Sequence, residues 1–489
     1  MAGKLSVQLW VPMFAVISSI AENAKSRPFA PAVLNGERAM TYADLIGLIA
    51  RVSNLFADRK LRYGAKLFLN IRDPDLRLAV SLAAIHAGMV PLILAEHGTL
   101  RPGIDYDLVV GARLPYESGL VADAVIDDAV LLGRLSDPVL REFPDRADED
   151  FLYIGATSGT TGDRKLFVER WGSFREKSLG SHYLPVNQSD RVLSTIGDVT
   201  NYGFAFCLRT LFCRGAIVRH NPDTRRMLDE VNAFGVTQIL SAPNQLAVMT
   251  GLMDTQGLRA PSVNAIMVGG GLLTQRLKDQ ASRVFNAQLY VAYGSSEVGG
   301  ISAGRVDPAT FEPGYVGEIR SGIEIISAGT PDGPGPIIVV NTRNRISEYW
   351  SNGKVLVSSA PSCRMPDLGY LKGKSLYLIG RGDEVLNLSG TKIAFAAIER
   401  ALLEVPGVIE VGIVSAPPEI GPSSVIVGIV GTELDLERLG ESASQALHNR
   451  ELKAGLHFVR LAKIPRNQTG KVDRARLLGA YLKPPAISR

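Results

Sequence analysis

The sequence is poor in the residues that cross-link or metallate a fold. Its 489 residues include three cysteines, Cys207, Cys213 and Cys363, and no CxxC pair. A sparse, odd-numbered set excludes a disulfide framework and suits a reducing compartment, so the expected location is cytoplasmic. The six histidines (His86, His97, His182, His220, His448, His457) have no HExxH or comparable spacing, and no protein-built transition-metal site is expected. Excess charge of one sign is also missing. With 53 basic against 49 acidic residues the net charge is +4, and there is no basic run of the kind that binds nucleic acid. No apolar run approaches the roughly 20 residues of a membrane span. The apolar stretch from Leu5 to Ile20 is interrupted by Gln8 and Pro12 and has no clean small-residue cleavage site. It is expected to contribute an amphipathic first helix, Phe14 to Ala24. Internal repeats and low-complexity tracts are absent.

What remains is a chain of ordinary globular composition, 46% hydrophobic and 21% charged, long enough for about two or three domains. Asn35-Gly36-Glu37-Arg38 reads as a hairpin turn. Thr41 reads as the N-cap of a helix from Tyr42 to Ala57 with Leu45, Ile49, Val52 and Leu55 at helical spacing. A strand at Lys66 to Ile71, a buried helix at Leu78 to Ala87 stopped by Gly88, and a strand at Val90 to Leu94 follow. Leu100 to Asp150 reads as short strands and helices in alternation. From Val192 to Ala292 strands and helices alternate: strands at 192–195, 216–219, 236–240, 263–268 and 289–292, helices at 205–212, 223–234, 243–253 and 274–285. That periodicity implies largely parallel sheet with covering helices, and ligands on such sheets bind at the carboxyl ends of the strands. Val316 to Asn341 is rich in Gly, Pro and β-branched residues and reads as antiparallel sheet or a small barrel. Beyond Gly380-Arg381-Gly382-Asp383 lies a compact α+β unit with a helix at 394–404, strands at 409–415 and 425–430 and a helix at 434–447.

The most chemically loaded stretch is Thr157-Ser158-Gly159-Thr160-Thr161-Gly162-Asp163-Arg164-Lys165, directly after the apolar tetrad Phe151 to Ile154. Glycine admits backbone N–H groups close to an anion, hydroxyls donate to phosphate oxygens, and two cations supply charge. Read alone, it fits a polyphosphate cradle or a polar surface loop. A Walker A loop fits poorly, because Asp163 and Arg164 separate Gly162 from Lys165. The triple glycine Gly269-Gly270-Gly271 and the segment Tyr293 to Gly300 also follow predicted strands.

Five segments in order resemble the adenylate-forming enzymes, which include acyl- and aryl-CoA synthetases, luciferases and peptide-synthetase adenylation domains. The resemblance covers nearly the whole chain. The loop at 157–165 resembles Thr-Ser-Gly-Thr-Thr-Gly-x-Pro-Lys-Gly, and Tyr293-Gly294-Ser295-Ser296-Glu297 resembles Tyr-Gly-x-Thr-Glu. Asp367-Leu368-Gly369-Tyr370 resembles an Asp-Leu-Gly segment. Gly380 to Asp383, followed by Leu388-Ser389-Gly390 and Glu399, resembles the hinge and the signature after it. Thr469-Gly470-Lys471-Val472-Asp473-Arg474 resembles the C-terminal catalytic-lysine loop.

The resemblance implies an α/β fold. It has a large N-terminal domain (1–380) of parallel and mixed sheets with a small β-barrel-like subdomain, a hinge (381–383) and a small mobile α+β lid domain (384–489). It also implies ATP, Mg²⁺ and a thiol acceptor, either CoA or the phosphopantetheine of a carrier protein. A carboxylate attacks the α-phosphate to give an acyl-adenylate, and the thiol then displaces AMP. Carried over residue by residue, Thr157, Ser158, Gly159, Thr160, Thr161, Gly162 and Lys165 hold the β/γ-phosphates. Gly269, Gly270, Gly271 and Tyr293, with Gly294 and Ser295, surround adenine. Ser296 touches the α-phosphate and Glu297 binds Mg²⁺, a hard cation suited to carboxylate oxygen. Asp367 accepts from the ribose hydroxyls with Arg381 beside it, and Lys471 serves the α-phosphate and the acid. Asp383 is the hinge residue and Gly390 lines the thiol channel. Thr200, Tyr202, Phe206, Ser241, Gln245, Leu272, Val298 and Ile301 form the acid pocket, mostly apolar as a fatty or aromatic acid requires. The implied partner is a small carboxylic acid, and the protein is expected to be a monomer or homodimer.

The sequence departs from the family pattern at four places. Arg164 and Leu166 stand for Pro and Gly, Met365-Pro366 precedes Asp367 in place of Thr-Gly, and Thr200 stands where CoA synthetases often carry His. Two alternatives stay open on these grounds: a ligase that loads a carrier protein, and a degenerate nucleotide-binding homologue without turnover. The hinge assignment makes a separable prediction. Asp383→Pro should retain pyrophosphate release and lose CoA-ester formation, and equal loss of both half-reactions would contradict it.

Overall fold

The computed structural model describes residues 15–36, 38–93, 106–112, 123–126, 139–144, 147–156, 166–179, 184–295, 298–331, 335–340, 348–351, 354–357, 362–382, 384–388, 391–417, 419–421, 423–432, 434–466 and 472–482. The chain divides into two compact units, one of Met1–Val192, Gly197–Arg219 and Asn344–Ser359, the other of Leu193–Ile196, His220–Arg343 and Ala360–Arg489.

The first unit is built on an eight-stranded sheet. Five neighbouring strands are parallel: Phe151–Ala156, Val90–Ile93, Lys66–Asn70, Leu108–Ala112 and Ala124–Ile126. Leu166–Arg170 joins antiparallel to Phe151–Ala156, with Ala156 opposite Leu166. The loop at 157–165 lies outside the described residues. Gly155 is required by its neighbour, since a Cβ would meet the buried Phe167 ring at 2.4 Å. The sheet continues with the antiparallel hairpin Glu348–Ser351 and Lys354–Val357, in which Trp350 pairs with Leu166. No local pattern announces that long-range pairing.

Helix starts in this unit follow their caps. Thr41 and Asp44 form a reciprocal capping box at the head of Tyr42–Asp58, whose Leu45, Ile49, Val52 and Phe56 are buried. The next helix runs Pro74–His86, not from Leu78 as hydrophobic spacing suggests. Asp73 caps it by accepting from the N–H groups of Asp75 and Leu76, and Pro74 takes the first helical position. Likewise the helix expected at 205–212 begins at Asn201, because Thr200 accepts the Gly203 N–H at 3.0 Å. Gly88 follows the cap residue Ala87 in the left-handed region at φ 79°, in agreement with its stop signal.

In the second unit Gln238–Ser241, Ala265–Gly269 and Gln288–Ser295 are parallel. The sheet then turns antiparallel through Gly299–Arg305, Tyr315–Ile319, Ser375–Arg381, Ser362–Lys372, Gly335–Val340 and Glu324–Ser327. The strand expected to end at Ala292 runs on to Ser295 because it pairs with Gly299–Arg305 in a hairpin. Val298, Ile301, Val316, Ile337, Val339, Met365 and Leu376 pack as one buried cluster against these strands.

The C-terminal part of this unit has its own core. Val408–Ser415 pairs antiparallel with Val425–Gly431, which pairs parallel with Leu456–Arg460. Ile398, Leu402, Val411, Ile413, Val427 and Ile429 are buried together. Arg276, in the first turn of helix Gln275–Val284, donates to the carbonyls of Leu403 (2.9 Å) and Val405 (2.7 Å), just beyond the helix Phe395–Leu403. A cation at a helix C-terminus complements its dipole.

Glu399 on that helix is partly buried. Its carboxyl is raised from an ordinary 4.5 to about 7, first by desolvation and then by the neighbouring Glu384, against the opposing pull of Arg466, the Ile413 N–H and Arg474. A carboxyl whose folded value lies above its unfolded one binds more protons when folded. Its contribution to stability is therefore full below about 4.5 and is lost as the pH rises through about 7. Glu399→Gln should flatten this part of the thermal stability–pH curve, and an unchanged slope between pH 5 and 8 would contradict the assignment.

Candidate functional site

The carboxyl edge of the parallel strands in the second unit gathers the described residues that the sequence motifs assign to a nucleotide. Gln238–Ser241 ends at Ser241, whose neighbour in register is Val268, and Gly269 is level with Ala292. Gly270 and Tyr293 are the next residues out on adjacent strands. Gly270 sits at φ 76° with nothing within 4 Å of where a Cβ would be. Gly271 has only Pro243 close, at 3.1 Å. Gly270 and Gly271 are exposed, so the backbone there forms an open ledge that a planar group can approach.

Beside that ledge the Tyr293 hydroxyl donates to Asp367 Oδ2 at 2.6 Å. The residues are 74 apart in sequence, and the antiparallel continuation of the sheet is what brings them together. A phenol on a carboxylate at this distance is a charge-assisted bond that fixes the carboxylate's orientation. Asp367 is level with Arg381 on the adjacent strand, and the Gly382 N–H donates to the Pro366 carbonyl at 2.8 Å, which closes the strand end. Arg381 Nε lies 3.1 Å from Glu384 Oε1, and Glu384 also pairs with Arg474. Pro465 accepts the Asp473 N–H at 2.8 Å, and Arg466 bridges to Val472, so the loop carrying Lys471 is closed at its base.

Some motif residues have a structural reason for their identity. A Cβ on Gly294 would meet the Gly299 carbonyl at 2.4 Å, so the hairpin itself demands glycine. The Ser295 hydroxyl accepts the Val298 N–H at 3.2 Å and braces the intervening turn. Ser241 receives the Thr195 hydroxyl at 2.9 Å and donates to the Ala242 carbonyl at 3.0 Å. Gln245 lies in the first turn of Pro243–Gln256 and is partly buried. Leu272 and Tyr293 pack against the cluster of Val298 and Ile301, and both of these are buried.

In the first unit Thr200 is occupied as a helix cap, donating to the Gly197 carbonyl at 2.8 Å. Tyr202 and Phe206, one turn apart on Asn201–Phe212, meet edge to face with centroids 6.4 Å apart. Tyr153 donates to Asn201 and fixes the start of the same helix. Thr157, Ser158, Gly159, Thr160, Thr161, Gly162, Lys165, Ser296, Glu297, Asp383, Gly390 and Lys471 lie outside the described residues. Among the described residues no group of three or more His, Cys, Asp or Glu side chains is placed to hold a metal ion. No described helix is long and apolar enough to cross a membrane.

Sequence reasoning missed three charged features. Arg320 lies over Gly300, where a Cβ would fall 2.3 Å from its guanidinium. Glu384 joins Arg381 to Arg474. A buried ionic cluster surrounds Asp198. The only local signal for the first was a second glycine, Gly300, and the other two depend on contacts remote in sequence.

The Tyr293–Asp367 bond yields a direct prediction. Tyr293→Phe removes a bond to a charged group, a loss of about 1.5–3 kcal/mol. KM for ATP should rise on the order of tenfold or more with little change in KM for the acid. An unchanged KM for ATP would exclude this bond from nucleotide binding.

Residues 110–350 match the AMP-binding enzyme family. The indoleacetate–CoA ligase of Aromatoleum aromaticum is 26% identical over 93% of this chain and 96% of its own length. The 3-hydroxybenzoate–CoA ligase of an Aromatoleum species is 24% identical over 91% of this chain and 92% of its own. A solved anthranilate CoA ligase in complex with anthranoyl-AMP shares the fold, with a TM-score of 0.78, 16% identity and coverage of 97% of this chain and 98% of its own. With the ordered motifs and the strand-edge geometry, these similarities establish that the chain belongs to the adenylate-forming superfamily of AMP-binding enzymes.

Proposed function

We propose that this protein is an AMP-forming acid–thiol ligase that activates an aromatic carboxylic acid and transfers the acyl group to CoA. The observation that carries the nucleotide half is the Tyr293–Asp367 pair beside the open Gly270–Gly271 ledge. An aromatic face and a flat glycine backbone suit adenine, and an oriented carboxylate suits the ribose hydroxyls. The two full-length relatives named above both act on aryl or arylacetic acids by their names. Tyr202, partly exposed and set edge to face against the buried Phe206, offers an aromatic surface to such a ring.

In this reading the loop at 157–165 holds the departing pyrophosphate and Ser296 the α-phosphate. Mg²⁺ would be held by Glu297 together with the nucleotide's own phosphates, neutralising charge as the carboxylate approaches. Lys471 supplies the cation that serves the reacting anions. Positioning and electrostatic complementarity carry the rate, because two anions must meet. Residues 384–489 act as a lid turning about Asp383, and Gly390 leaves room for the thiol arm. The expected setting is the cytoplasm, where ATP and CoA are available.

The test is pyrophosphate release with ATP across a panel of aryl, arylalkanoic and fatty acids, with CoA or a phosphopantetheinylated carrier protein as acceptor. The expected result is acid-dependent release that is strongest with an aromatic acid and produces an aryl-CoA. Faster transfer to the carrier would move the acceptor assignment. Absence of release with every acid would overturn the ligase reading.

A further inference from the structure

The first unit buries four ionic side chains in a single cluster. Asp75 and Arg77 lie at the start of helix Pro74–His86, Asp198 lies in the turn between Gly197 and Thr200, and Arg219 directly follows strand Ala216–Val218. Their side chains are 11%, 9%, 14% and 9% exposed. Arg219 donates from Nε to Asp75 Oδ1 at 2.6 Å, and from its two terminal nitrogens to Asp198 Oδ2 at 3.0 Å and the Pro74 carbonyl at 2.9 Å. Arg77 donates to Asp198 Oδ1 at 2.8 Å and to the Ile71 carbonyl at 3.2 Å. Asn35 donates to the other Asp75 oxygen at 2.9 Å. Each oxygen of Asp198 is thus held by a different guanidinium, and the two cations balance the two anions.

Burying four charges is a weak way to stabilise a fold, because desolvation offsets most of the Coulomb gain. What the cluster secures is geometry. Asp198 is the second residue of a turn whose Gly197 carbonyl accepts both the N–H (3.0 Å) and the hydroxyl (2.8 Å) of Thr200. Thr200 caps the helix carrying Tyr202 and Phe206, and Tyr153 holds Asn201 at the same helix start. Cys207, on that helix, is buried and responds to the charges of Arg219, Asp198 and Arg77, with desolvation pushing its thiol up to about 12. The thiol therefore stays protonated and acts as packing.

We propose that Asp198, clamped between Arg77 and Arg219, is a positioning residue for the carboxylic acid: it fixes the turn before helix Asn201–Phe212 and so sets where Tyr202, backed by the buried Phe206, meets the acid's apolar part. This inference rests on the ligase reading. It places Asp198 behind the binding surface with no role in contacting ATP.

The test compares wild type, Asp198→Asn and the charge-balanced pair Asp198→Asn/Arg77→Gln by steady-state pyrophosphate release, varying acid and ATP separately, alongside thermal unfolding. The single variant leaves a buried surplus cation and should unfold at lower temperature. The double variant should regain thermal stability. Both should show a KM for the acid raised on the order of tenfold or more with KM for ATP unchanged. If the single variant does not fold, the double variant decides alone. Recovery of the acid KM together with thermal stability in the double variant would show a purely structural role and overturn the proposal. An acid KM at the wild-type value in the folded variants would do the same while leaving the ligase reading intact. Wild-type protein inactive with every acid would remove the ligase reading, and this role of Asp198 with it.

Discussion

The hydrogen bond from Tyr293 to Asp367 is the interaction on which the proposed nucleotide site depends. It forms only because the sheet of the second unit changes direction after Gln288–Ser295. Parallel strands deliver Ser241, Gly269 and Tyr293 to one edge, and the antiparallel continuation delivers Asp367 and Arg381 to the same neighbourhood. The fold thus places backbone room, an aromatic ring and an oriented carboxylate side by side. Gly294 belongs to the same constraint, since the hairpin that extends the Tyr293 strand has no space for a Cβ there.

Charge is distributed with a similar economy. Near the strand end at Arg381, Glu384 joins Arg381 to Arg474, next to the base of the loop that bears Lys471. In the first unit the Asp75–Arg77–Asp198–Arg219 cluster is neutral overall and buried, and it ties the turn at Asp198 to two other segments of the chain. Thr200, at a position where related CoA synthetases often have His, is occupied with capping the helix. The chain thus spends that hydroxyl on architecture, and any gating of the thiol must come from other residues.

Much of this was legible in the sequence. The alternation from Val192 to Ala292 marked the parallel strands correctly because each is a short apolar run bounded by turn residues. Thr41 was readable as a cap, and Gly88 as a stop, because those signals are local. The errors came from weighting hydrophobic spacing over caps: Asp73-Pro74 and Thr200 each start a helix four residues earlier than the apolar pattern implies. Pairings between distant segments were not legible. The Glu348–Ser351 strand joins a sheet formed some 180 residues earlier (Trp350 with Leu166), and the partners of Asp198 come from Arg77 and Arg219. The ordered motifs assign Tyr293 and Asp367 to one expected site, and the two side chains are hydrogen-bonded.

The central claim is that a carboxylate oxygen of the acid attacks the α-phosphate, so that AMP leaves carrying that oxygen. The most direct measurement uses an aromatic acid labelled with heavy oxygen in its carboxylate, followed by mass spectrometry of the AMP and the thioester after turnover with CoA. The account predicts one labelled oxygen in each AMP and one retained in the aryl-CoA carbonyl. Unlabelled AMP formed alongside aryl-CoA would contradict an acyl-adenylate and with it the function proposed for this chain.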